Sequence, residues 1–263
     1  MIRGVSGSRA RASAIAVSEH RVRVGGDEVV YRVAGEGEPV VMLHGLGGSS
    51  RCWTWTVPAL ARRYRVYLVD LPGFGVMRRL HRRFALGTAS AWLEAWMHAA
   101  KIGRAHLVGH SMGALISTQL VAAAPSLVDR LVLVSAAGVP TGRSLVGCIR
   151  RMPAGWRHRA PGAWRLMLPD ALLTRPSLVL RTARELLAQD IAALLEHVRS
   201  PTLVVWGADD PMVPVDCAEV FRRGIPDARA LILQRAGHLP MLTKPDEFNR
   251  AILAFLGGEL GGD

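Results

Sequence analysis

The sequence predicts an α/β fold: a mostly parallel central sheet with helices on both faces, and a short helical cap inserted late in the chain. Three observations carry this prediction. Continuous apolar runs recur at Pro39–Leu43, Tyr64–Val69, Leu131–Val134 and Thr202–Trp206, each closed by a glycine-bearing loop, as expected of strands covered on both faces. The stretch Leu107-Val108-Gly109-His110-Ser111-Met112-Gly113 leads from an apolar strand straight into a helical pattern at Leu115, Ile116, Leu120 and Val121. Between Gly138 and Arg199 the alternation breaks, and Pro140, Pro153, Pro161, Pro169 and Pro176 punctuate short helical pieces. The expected division is a flexible tail at 1–18, a core formed by 19–137 and 200–258, and a helical cap at 138–199.

A chain of 263 residues that is 50% hydrophobic can bury one large core. No internal repeat is present, which excludes solenoids and propellers. The formal charge is +12, yet all but Lys101 and Lys244 of the 33 basic residues are arginines. No basic stripe interleaves with stacking aromatics, so no nucleic-acid partner is expected. The charge is expected instead to draw anionic substrates or to allow weak association with a membrane surface. Cys52, Cys148 and Cys217 show no metal-ligand spacing and no even disulfide framework, which fits idle thiols in a reducing compartment. Met1–His20 lacks an apolar core with a cleavage site, and no window is apolar enough to span a bilayer; a cytoplasmic protein is the expectation.

In chain order, Arg21–Val24 and Val29–Val33 read as strands around the hairpin signal Gly25-Gly26-Asp27. The strand at Pro39–Leu43 ends in His44-Gly45-Leu46-Gly47-Gly48, a loop whose backbone N–H groups can face a ligand. Ser50–Arg63 reads as one helix with Trp53, Val57, Leu60 and Ala61 on its buried stripe. Tyr64–Val69 is closed by the turn Asp70-Leu71-Pro72-Gly73-Phe74-Gly75, and 87–101 follows as a helix carrying Trp92, Trp96 and Ala99. Within the cap, Leu178–His197 reads as a helical piece rich in Leu and Arg. Thr202–Trp206 resumes the sheet and ends in Gly207-Ala208-Asp209-Asp210-Pro211. A helix near Pro214–Arg223, a strand at Ala230–Leu233, the turn Ala236-Gly237-His238 and a helix at Pro245–Leu256 complete the alternation.

The polar residues at the ends of these strands carry the chemistry. A serine hydroxyl is a poor nucleophile at neutral pH; it needs a base, and the base needs a carboxylate to orient it. Ser111, Asp210 and His238 stand at the carboxyl ends of predicted strands, where ligands gather in such sheets. Their order along the chain, and the Gly-x-Ser-x-Gly turn itself, resemble the α/β-hydrolase family, as do His44-Gly45-Leu46-Gly47, Asp70-Leu71-Pro72-Gly73-Phe74-Gly75, Gly207-Ala208-Asp209-Asp210 and Gly237-His238. The resemblance runs from about Val29 to Leu256. It implies a serine esterase or lipase-like enzyme with Ser111 as nucleophile, His238 as general base and then acid, and Asp210 as the orienting carboxylate. Asp209 stands next to it as the competitor for that last role. The resemblance also implies an oxyanion hole from the backbone N–H groups of Leu46 and Met112, and no metal or organic cofactor.

His44, Gly45, His110, Trp164 and Met167 are the candidate substrate-binding residues, although the motif positions of His44 and His110 equally suit support of loop geometry. Asp70 reads as a turn cap. Trp156, Leu166 and Leu168 join Trp164 and Met167 as residues that either line an acyl pocket or pack the cap onto the core. Where relatives commonly place a serine after Gly75, this chain has Val76-Met77-Arg78-Arg79. The run Arg78, Arg79, His81, Arg82, Arg83 is a solvated face or a meeting place for anions. The expected activity is cleavage of a small-molecule carboxylic ester through an acyl-enzyme. The alternatives are carbon–carbon or thioester cleavage by the same triad, or a hydrolase-like ligand receptor with little turnover. Carbon–carbon hydrolases similar to this chain often carry Asn where His110 stands. Oligomeric state is left open by the sequence.

Overall fold

A computed structural model describes residues 15–151 and 162–259. Eight strands form one sheet: β1 (Val17–Val24), β2 (Asp27–Ala34), β3 (Glu38–Leu43), β4 (Tyr64–Val69), β5 (Ala105–His110), β6 (Val128–Val134), β7 (Thr202–Gly207) and β8 (Ala228–Leu233). They lie in the order β1-β2-β4-β3-β5-β6-β7-β8. The β1–β2 and β2–β4 pairs are antiparallel and every other pair is parallel. The predicted α/β class with a mostly parallel sheet is what the chain adopts. β1 begins at Val17, two residues inside the segment read as a tail.

Period-two alternation within the apolar runs builds the core on both faces. Val41, Leu43, Leu107 and Leu133 point to one face, and Val40, Met42, Val108 and Val134 to the other. The helices are α1 (Val57–Leu60), α2 (Ala89–Ala99), α3 (Met112–Ala123), α4 (Leu145–Arg151), α5 (Ala163–Leu173), α6 (Pro176–Leu187), α7 (Asp216–Gly224), α8 (Pro240–Thr243) and α9 (Pro245–Leu256). Among the described residues no helix is long and apolar enough to cross a membrane.

Two predicted helices are corrected. Ser50–Arg63 is not continuous: a 3-10 turn at Ser50–Trp53 is followed by the four-residue α1. Pro58 has no N–H to donate and is tolerated only in a first turn, so it starts a new helix instead of extending the old one. Leu178–His197 also splits. α6 ends at Leu187, and a separate 3-10 turn covers Ala192–His197 because the Ile191 N–H is taken by the Gly138 carbonyl at 2.8 Å.

The register places the site. β3 sits between β4 and β5, so the chain leaves the sheet on one side after β3 and on the other after β5. This is a topological switch point, where the loops beyond adjacent carboxyl ends part and leave a crevice. Leu43 pairs with Gly109, which sets the loop after β3 beside the turn after β5, and β7 and β8 continue in parallel to present their own ends at that rim.

Candidate active site

Ser111 lies between β5 and α3 with φ 52° and ψ −110°, a left-handed backbone unusual for a residue with a Cβ. Such geometry costs about 1–3 kcal/mol and persists only when its surroundings over-determine it. They do. The Ser111 N–H donates to the Val134 carbonyl at 2.9 Å, and the Ser111 carbonyl accepts from Ala114, Leu115 and Ala137. Gly113 allows the turn: a Cβ there would lie 2.6 Å from the Leu43 carbonyl oxygen, so no larger residue fits without moving β3. The turn delivers Ser111 to the rim, largely buried, at the N-terminus of α3, where Met112 N–H is among the amides with no intrahelical partner.

Asp210 follows β7. Its Oδ1 accepts from the backbone N–H groups of Met212 (2.8 Å) and Val213 (2.9 Å), and its Oδ2 lies 2.8 Å from His238 Nδ1. Burial pushes this carboxyl up, but the facing His238 and the three hydrogen bonds outweigh burial and hold it below the ordinary carboxylate range. It is therefore ionised at neutral pH, and Nδ1 of His238 donates to it. Nε2 of His238 keeps its lone pair, the arrangement a general base requires. Asp209 is exposed and its backbone N–H bonds the Ala236 carbonyl; the imidazole is paired with Asp210. Among the described residues no hydrogen bond joins the Ser111 hydroxyl to the His238 ring. The bridge between them is His110, whose Nε2–H donates to the His238 carbonyl at 2.9 Å and whose ring centroid lies 4.8 Å from that of His238.

His110 is buried, and its pKa falls from 6.5 to about 3, first through burial and then through repulsion from a charged His238. Its folded pKa is below the unfolded one. The stability it contributes is present above pH 6.5 and is lost as pH falls toward about 3. At most this amounts to about 5 kcal/mol, with a slope approaching ~1.4 kcal/mol per pH unit within that window. His106, buried between Glu38 (3.5 Å) and Asp129 (3.3 Å) and also lowered chiefly by burial, adds to the slope with the same sign. Urea unfolding at a series of pH values is expected to show this decline, and His110→Gln, which keeps an amide donor, is expected to flatten it. An unchanged slope would remove His110 as its source.

His44 is fully buried. The Leu71 N–H donates to its Nε2 at 3.0 Å, so Nδ1 carries the hydrogen and donates to the Gly45 carbonyl at 2.8 Å. Both nitrogens brace the loop, which is the loop-supporting role that its motif position also suits. In His110 one nitrogen, Nε2, does the same for the His238 turn. Gly45 is where the loop passes Ser111: a Cβ on it would stand 2.7 Å from His110 Nδ1 and 3.1 Å from Ser111 Cβ. Asp70 caps backbone, accepting from Ser50 (2.7 Å) and Val76 (2.9 Å). From α5, the Met167 methyl lies 3.7 Å from where a Cβ on Gly48 would be, so Met167 borders the glycine loop. Leu168 turns outward instead of lining a pocket. Trp156 and the side chain of Trp164 lie outside the described residues.

Sequence reasoning missed Asp170. It is the one acid between Gly138 and Arg184, a signal in plain view within an arginine-rich stretch. Buried on α5, its Oδ2 accepts from the Ser49 hydroxyl at 2.5 Å, fastening α5 to the end of the glycine loop. Burial raises its pKa, opposed by Ser49 and Arg51. Ser49→Ala leaves a buried carboxylate without its hydroxyl and is expected to cost about 1–3 kcal/mol, whereas removing both partners costs less than the sum. A double-mutant cycle with Asp170→Ala, read by denaturant unfolding, is expected to show coupling of at least ~1 kcal/mol; additive effects would mean the contact contributes nothing.

A model of the alpha/beta hydrolase family matches residues 40–251. The chain is 34% identical, over 86% of its length, to the dihydrolipoyllysine-residue acetyltransferase component of an acetoin cleaving system from Pseudomonas putida, and spans 65% of that protein. It is 30% identical to a 2-hydroxy-6-oxo-6-phenylhexa-2,4-dienoate hydrolase from Comamonas testosteroni, covering 86% of this chain and 90% of that protein. It also superposes on the crystal structure of an esterase from a Rhodococcus species, with a TM-score of 0.77 and 27% identity, over 92% of this chain and 98% of the other.

Proposed function

The chain belongs to the alpha/beta hydrolase family, and from that premise we propose that it is a serine hydrolase that cleaves carboxylic esters through an acyl-enzyme. Ser111 Oγ attacks the ester carbonyl while His238 Nε2 takes its proton. Asp210 holds the imidazole in its tautomer and stabilises the cation that forms. The carbonyl oxygen, now an anion, is received by the N–H groups of Leu46 and Met112; one such donor typically contributes about 3 kcal/mol to the transition state. His238 then protonates the leaving alcohol, and water repeats the sequence to release the acid. The single observation that carries this reading is the 2.8 Å Asp210–His238 bond, at the same sheet rim as the strained Ser111 turn. Met167 and Leu46, both half-buried beside the glycine loop, suit a moderately apolar acyl or alcohol group.

The likeness to a dienoate hydrolase favours a second reading in which the same residues cleave a carbon–carbon bond. A panel of p-nitrophenyl esters of increasing chain length, run beside a vinylogous diketone, separates the two. Ester turnover, with fluorophosphonate labelling of Ser111 that is lost in Ser111→Ala, is the expected result. Turnover of the diketone alone would favour the second reading. A folded protein that neither labels nor turns over any of these would favour the ligand-receptor reading.

A further inference from the structure

The outer face of α5 carries exposed apolar side chains. Leu172 is 75% exposed, Leu173 53% and Leu168 41%, and Val76, at 41%, stands in the neighbouring 3-10 turn at Gly75–Leu80. α5 lies against that turn, and α6 approaches the segment before it, where a Cβ on Gly73 would meet Leu178 at 2.6 Å. Isolated exposed leucines are ordinary, but a cluster at one helix end marks an interaction surface. The charge along these two stretches is of one sign at the surface, and the nearby Asp27 is taken up by Arg83 at 3.5 Å. Arg78, Arg79, Arg82 and Arg175 are all exposed, and the sole acid across 75–83 and 162–177 is Asp170, turned inward onto Ser49.

We propose that this face docks on an anionic lipid bilayer, with Leu168, Leu172 and Leu173 entering the interface and the arginines meeting lipid phosphates. An acidic protein surface would satisfy the arginines but would leave three projecting leucines without an apolar layer to enter; a bilayer satisfies both. α5 is also the helix whose inner face brings Met167 and Asp170 to the glycine loop, so docking sets the membrane over the helix that borders that loop. The inference does not require Ser111 to be a nucleophile, because it is read by binding and not by turnover.

The test is flotation of the full chain with vesicles of phosphatidylcholine alone and of phosphatidylcholine mixed with phosphatidylglycerol. Binding is expected on the mixed vesicles, weakening as salt rises, since each arginine near such a surface strengthens partition by about fivefold. L172D with L173D is expected to cut partition by at least about tenfold, and so is R78E with R79E. Circular dichroism and thermal melting of both doubles are expected to match the parent, because all four side chains are exposed. No binding to the mixed vesicles would overturn the proposal. Binding lost on charge reversal but unchanged by the leucine substitutions would also overturn it, because attraction between charges alone would then hold the chain to the vesicle.

Discussion

Ser111→Ala is expected to lower kcat on a p-nitrophenyl ester by about 10⁴–10⁶-fold, while KM and the thermal midpoint stay close to the parent values. The size follows from removing the atom that forms the covalent bond: what remains is the oxyanion site acting on water. A loss of about 10⁵ corresponds to ~7 kcal/mol of transition-state stabilisation, more than any single contact with a bound substrate contributes. The substitution deletes one hydroxyl and leaves the turn intact, since its backbone bonds to Val134, Ala114, Leu115 and Ala137 involve no side-chain atom. The strained φ of 52° is as costly for alanine as for serine, so stability is expected to change little. Steady-state kinetics with active-site titration would check this. Retention of more than about a tenth of the parent kcat would remove Ser111 from the reaction.

Asp210→Asn is expected to cost about 10⁴-fold in kcat, through a tautomer and not through geometry. The replacement is nearly isosteric. Its carbonyl oxygen can still accept the N–H groups of Met212 and Val213, which leaves its amide nitrogen facing His238 Nδ1 in place of Oδ2. An NH₂ group donates, so Nδ1 must become the acceptor and the ring hydrogen moves to Nε2. A base that already carries a hydrogen cannot take the proton of Ser111. The defect is therefore expected to fall on kcat and on fluorophosphonate labelling rate together, with KM little moved. Asp209→Asn is the control and is expected to leave both within about twofold, because the imidazole is paired with its neighbour. Equal losses from the two substitutions would mean that orientation of His238 does not depend on this carboxylate.

Both predictions concern residues that were legible in the sequence for a simple reason. Backbone demands at Gly109, Gly113 and Gly207, and the order of strand, turn and helix, are local properties, so they leave local marks. Those marks placed Ser111, Asp210 and His238 at strand ends before any distance was known. The apolar runs were equally legible, because a strand buried on both faces has no polar position to spare, and Pro39–Leu43 and Thr202–Trp206 both became strands paired on both sides within the sheet. Where the sequence misled, the cause was a competing interaction at longer range or a proline read too lightly. Ser50–Arg63 kept a helical period in its apolar residues, yet Pro58 restarts the helix. Leu178–His197 kept its Leu and Arg rhythm, yet the Ile191 amide bonds Gly138 across the fold. His44 and His110 were read as substrate contacts or as supports of loop geometry, and both rings hydrogen-bond backbone.

Composition, period and spacing by themselves determined the α/β class, the parallel sheet and the family likeness, because each is written in nearest neighbours along the chain. Only the tertiary structure decided that Asp210 and not Asp209 meets His238, that His110 ties the His238 turn to the Ser111 turn, and that Asp170 fastens α5 to the glycine loop. The physical reason is that hydrogen bonds across 28, 128 and 121 residues have no period to betray them; they form only after the sheet has brought its strand ends to one rim.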